Sequence, residues 1–174
     1  MKVEKYPGSR KYSTVFEDIA AHTGNVFSDN DIVTRVHETT HQINSELRMK
    51  FHCPAFYILK DVVLLVDEPS CKLSDVAKEI PQAARGPNYS LYLVQAQRDW
   101  NNQPTYVLDE WSAYRNGAIC GKETGVREQD SLNHKLEFDK YAEALVRLAP
   151  ELRAFLDYFN EVKELSDYGT ETYL

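Results

Sequence analysis

The chain is poor in the residues and patterns that would place it outside the ordinary globular proteins. It has three cysteines in 174 residues, Cys53, Cys71 and Cys120. That odd count at irregular spacing indicates neither a disulfide framework nor a cysteine metal site, so each is expected to be a buried thiol. Long apolar runs are missing: the longest, residues 62–66, is far too short to span a bilayer, so no membrane insertion is expected. Residues 1–10 are charged and carry no apolar segment, from which a cytoplasmic location is expected, with leaderless secretion left open. No Lys/Arg cluster offsets a net charge of −7, which argues against broad contact with phosphate backbones and hence against a nucleic-acid partner. Linkers, repeats and low-complexity tracts are also missing.

What is present suits one folded domain. The length can bury a core without covalent staples, and the 43% hydrophobic and 27% charged fractions are those of a globular protein. The most informative segment is His37-Glu38-Thr39-Thr40-His41, set in residues 31–48, which read as one helix. Two imidazoles four residues apart share a helical face and can bind one ion, with Glu38 projecting beside it. With 5 histidines in the chain, such a segment would arise by chance only about 0.01 times. The plainer alternative is a pair of solvated histidines on an amphipathic helix. Ile32, Val36, Ile43 and Leu47 form the core-facing stripe with Thr40 at its edge, and the histidines flank it, where a cleft-lining pair belongs. Residues 28–31 supply N-cap oxygens.

At this segment the chain resembles the zincin metallopeptidases. Thr34, Thr39, Thr40 and Ile43 agree with their extended signature, while Arg35 stands where an uncharged residue is usual. Asn44 and Leu47 rule out the metzincin extension, and Lys60 occupies the position of the thermolysin-like third ligand. Glu110, in a second predicted helix containing Glu-Trp-Ser-Ala-Tyr, resembles the distant glutamate ligand of the lethal-factor-like peptidases over about nine residues. Asn101 or Asn102 would cap that helix, with Pro104 in its first turn. Asp109 is the nearest competitor for the ligand role, and Glu123, His134, His52 and His22 remain open. His52 reads as a loop residue and His134 as a surface residue of a C-terminal helix.

The resemblance implies Zn²⁺ held by His37, His41 and Glu110, with an open position for water. Glu38 would be the general base, and Tyr106 or Tyr114, each four residues from Glu110, the hydroxyl donor to the developing oxyanion. It implies a zinc metallopeptidase acting on a peptide or protein substrate. A structural-metal or metal-free binding module, and a hydrolase of some non-protein amide, are the alternatives. The ligand set also suits non-haem iron. Oligomeric state is not legible.

The expected fold is α+β and mostly helical, a zincin-like single domain over 1–174 with a catalytic core in 1–125 and a C-terminal helix pair in 126–174. Helices are predicted over 15–21, 73–80 and 89–100, and residues 55–59 and 62–66 read as a hairpin or one bent strand. In zincins an edge strand beside the metal binds substrate backbone, and this segment is the candidate, although there the strand precedes the motif helix. Short strands near residues 12–16 are the substitute. Gly117, Gly121 and Gly125 mark a loop, and two antiparallel amphipathic helices follow, parted at Pro150. The 168–174 tail is expected to fray.

Overall fold

The computed structural model describes residues 1–162. Among the described residues the fold is α+β and mostly helical. Strand β1 (Lys2–Lys5) is followed by helices α1 (Val15–Ala21) and α2 (Ile32–Phe51), strands β2 (Ala55–Tyr57) and β3 (Val62–Leu65), then α3 (Leu73–Glu79). A π-helical stretch over Ser90–Gln95 runs into α4 (Gln97–Trp100), and α5 (Tyr106–Thr124), α6 (Glu128–Leu148) and α7 (Arg153–Val162) follow among the described residues. The 168–174 tail lies outside the described residues.

The strands form one antiparallel sheet with β3 between β1 and β2. Side chains alternate across a strand, and here both faces are apolar. Phe56, Ile58, Val62 and Leu64 face one core with α3, α5, α6 and α7. Tyr57, Val63 and Leu65 face a second core with Val15 and Ile19 of α1 and Val36, Ile43 and Leu47 of α2. Helices therefore cover both sides of the hairpin, which explains why residues 55–66 read as nearly continuous apolar sequence. The hairpin turn holds Leu59, Lys60 and Asp61 at φ of 75°, 53° and 62°. A buried network supports that backbone: the Lys60 N–H donates to Asp18 Oδ2 at 2.8 Å, and His22 Nε2 meets Asp61 Oδ1 at 2.8 Å.

Helix α2 begins where expected, with Asp31 Oδ1 accepting from the Thr34 N–H at 2.8 Å. It runs past Arg48 to Phe51 and stops at His52, whose φ is 56°. Its buried stripe takes in Val33 rather than Ile32. Several expectations are corrected. No strand forms near residues 12–16: Thr14 instead caps α1 through the Glu17 N–H, and the N-terminal strand is the charged Lys2–Lys5 segment. An edge strand exposed on one face tolerates such charge. Asn101 caps α3, not α5, accepting from the Leu73 N–H on its carbonyl and the Ser74 N–H on its side chain.

The predicted glycine loop is largely helix. Gly117 and Gly121 lie inside α5, and only Gly125, at φ 72°, ends it. A Cβ on Gly121 would stand 2.5 Å from Ser131 Oγ, so this glycine is what lets α6 turn back closely along α5. The antiparallel partner of α6 is therefore α5 rather than α7: Gly121 meets Ser131, Tyr114 meets Phe138, and Trp111 Nε1 donates to Asp139. Helix α7 packs Phe155 on Phe56 and Phe159 on Trp111. Of the cysteines only Cys120 is buried, and Cys53 and Cys71 are half-buried. No helix among the described residues is long and apolar enough to cross a membrane.

Candidate metal centre

Helices α2 and α5 run antiparallel, so Val33 lies by Gly117, His37 by Tyr114 and His41 by Asp109. This brings together three residues that span 73 positions in sequence, His37, His41 and Glu110. His41 Nε2 lies 3.1 Å from His37 Nε2, and Glu110 Oε2 lies 3.3 Å from His41 Nε2 and 3.7 Å from His37 Nε2. Three donors placed about 2.0–2.1 Å from one tetrahedral Zn²⁺ would be about 3.3–3.4 Å apart. The observed separations bracket that edge. Glu110 is 8% exposed, and its Oε2 is buried with no hydrogen-bond partner but the two imidazoles near it. A buried carboxylate oxygen is costly to leave unmatched, and a cation among these three atoms would match it. The three residues thus form a group that could hold a metal ion.

A second layer of residues holds this group. Asp109 stands outside this group: its Oδ2 accepts from His41 Nδ1 at 2.9 Å, which in the neutral ring leaves Nε2 unprotonated toward Glu110. Asp109 Oδ1 in turn accepts from Asn44 Nδ2 at 2.6 Å, and Asn44 Oδ1 accepts from the Tyr57 N–H at 2.8 Å. A chain of hydrogen bonds therefore ties the sheet to His41. Burial works against a charge on His41, yet the Asp109 and Glu110 carboxylates hold its pKa well above the ordinary imidazole value. Burial, reinforced by the neighbouring His41, pushes His37 down to about 3. His37 is thus neutral and ready to ligate, while at His41 a metal binds in competition with a proton.

Glu38 lines a cavity of about 160 Å³ with His37, Tyr92, Tyr114, Ser131 and His134. Tyr114 sets the edge of its ring against His37, with centroids 4.3 Å apart, and its hydroxyl lies 2.9 Å from that of Tyr92. Tyr106 instead stacks on Trp100 at 5.1 Å, and burial together with the Glu110 carboxylate raises its phenol pKa.

The other open candidates lie elsewhere. His22 is enclosed by Asp18, Asp61 and Tyr57, Glu123 accepts from the Val15 N–H, and His52 ends α2. His134 is not a plain surface residue, since it lines the cavity. The edge of β2 is also occupied at Tyr57 and Ile58. The Tyr57 N–H and C=O are bonded to Asn44 and Asn116, and the Ile58 carbonyl accepts from Arg115. Nothing in the sequence marks Tyr92 or Asn44 as a site residue; the π-helical turn that carries Tyr92 has no sequence signal, although such turns recur at functional sites. Compared with models of known families, with curated proteins and with solved structures, the chain matches none.

Proposed function

We propose that this protein is a zinc-dependent hydrolase that cleaves peptide bonds. The observation that carries the reading is the convergence of His37 Nε2, His41 Nε2 and the buried Glu110 Oε2 beside a cavity that Glu38 lines. Bound zinc would supply Lewis acidity, polarising the substrate carbonyl and lowering the pKa of water. Glu38 then takes the attacking water's proton and passes it to the leaving nitrogen. Tyr114, with Tyr92 behind its hydroxyl, donates to the developing oxyanion, and Tyr106 steadies the Glu110 carboxylate. Asp109 keeps His41 in the tautomer that ligates.

One observation favours a second reading. With the β2 edge occupied at Tyr57 and Ile58 by Asn44, Asn116 and Arg115, an extended backbone has no open ladder there, which suits a compact amide better than a long peptide. Glu38→Gln tests the enzymatic reading. Turnover of a quenched peptide library should fall by at least 10²-fold, in line with the usual contribution of a general base, while zinc content and unfolding midpoint stay unchanged. Wild-type protein that binds zinc yet cleaves neither peptides nor small amides would mark the metal as structural.

A further inference from the structure

We propose that the cavity beside the metal group seats a substrate side chain ending in an oxygen acceptor, a carboxylate or a carboxamide, and that His134 reads it. This rests on the hydrolase reading and names its substrate class. At about 160 Å³ the cavity is the size that admits one benzene-sized group, enough for a single side chain.

The chemistry follows from how His134 is held. Its Nδ1 lies 2.8 Å from Asn88 Nδ2. The same Asn88 amide nitrogen donates to Glu137 Oε2 at 2.9 Å, and the Asn88 backbone N–H donates to Glu137 Oε1 at 3.0 Å. Glu137 is 7% exposed and also accepts from the Tyr141 hydroxyl. A flipped Asn88 amide would press its oxygen on that carboxylate, so the nitrogen faces His134 and Nδ1 accepts. The proton of the neutral ring is therefore on Nε2. Asp130 Oδ1 lies 3.6 Å from Nε2, beyond hydrogen-bond range. Tyr114 stacks on the ring at 5.2 Å and fixes its plane.

The result is an oriented N–H donor on a residue that lines the same cavity as Glu38. An oxygen acceptor matches it, an alkyl group leaves it unmatched, and a lysine ammonium meets it donor to donor. Arg127, also lining the cavity, is bonded to Asp130 and to Asp31, so its charge is largely balanced and the imidazole decides.

The test uses zinc-loaded protein and amino-acid hydroxamates, whose hydroxamate chelates the metal, with a Glu, Gln, Leu or Lys side chain beside it, followed by calorimetry. On the wild type, the Glu or Gln compound should bind about tenfold more tightly than Leu and Lys, as expected for one matched donor. His134→Gln, whose amide nitrogen can stand in for Nε2, should keep the preference. His134→Leu should abolish it, and Asn88→Ala, which frees the tautomer, should weaken it if His134→Leu does not fold. The tighter of Glu and Gln identifies the group. Equal binding of all four side chains overturns the pocket assignment alone, as does a preference that survives in folded His134→Leu. If no hydroxamate binds, the hydrolase reading falls and the pocket with it.

Discussion

Asp109→Asn is the most revealing single change because it alters one atom and reverses one hydrogen bond. In the wild type Asp109 Oδ2 accepts from His41 Nδ1 at 2.9 Å and Oδ1 accepts from Asn44 at 2.6 Å. An asparagine keeps the bond to Asn44 through its oxygen and turns its amide nitrogen toward His41. His41 Nδ1 must then accept, which moves the ring proton to Nε2, the atom facing Glu110 and His37. Loss of such a supporting group costs about 10- to 100-fold in metal affinity, roughly 1.4–2.7 kcal/mol. The pH dependence adds a second signature. Asp109 and Glu110 hold the His41 pKa well above its ordinary value against the effect of burial, so wild-type zinc affinity falls about tenfold per pH unit below that pKa. The substitution removes one of the two supporting charges and lowers the pKa, so the loss is greatest in alkaline buffer and narrows toward neutrality. Competition titrations against a zinc chelator from pH 6.5 to 9 read both effects. Equal affinities at pH 9, or a gap of constant size throughout, would refute the orienting role of Asp109.

Two further outcomes concern the scaffold. Gly117→Ala should be tolerated and raise stability by up to about 1 kcal/mol through helix propensity, because its Cβ would meet nothing nearer than Val33 Cγ1 at 3.5 Å. Gly121→Ala should destabilise, since its Cβ would stand 2.5 Å from Ser131 Oγ and 3.1 Å from the Val126 carbonyl. Urea unfolding of the two variants separates these signs. At His22, burial disfavours the charge but Asp18 and Asp61 outweigh it and raise the pKa. Its stabilising contribution is full below the unfolded value of about 6.5 and is lost as pH rises through the folded value. The unfolding midpoint of His22→Gln relative to wild type should therefore recover as pH climbs from 6 to 9, and a constant difference would contradict it.

What the sequence revealed and what it hid divide along physical lines. The spacing of His37, Glu38 and His41 on a capped helix is a local, periodic signal. Glu110 was legible because its neighbours Trp111, Ser112, Ala113 and Tyr114 resemble a known ligand-bearing helix. The role of Asn44 was hidden because it exists only where α2, α5 and the edge of β2 meet. Gly117 and Gly121 read as loop because glycine weakens a helix, and the close approach of α6 at Gly121 is invisible in one dimension. The charged Lys2–Lys5 segment has no apolar alternation to announce a strand, yet it pairs with β3 in regular register. His134 looked like a surface residue because its partners, Asn88 and Glu137, come from a loop and a buried helical position.

The proposed chemistry requires one cation shared by His37, His41 and Glu110. Elemental analysis of protein purified without added metal measures this directly, alongside His37→Ala and Glu110→Ala whose folds are verified by circular dichroism. Wild type should carry about one zinc per chain, and each variant should lose it on dialysis, since removing one of three ligands abolishes the site. Stoichiometric zinc retained by both variants, or a wild type that binds no divalent metal at all, would contradict the account.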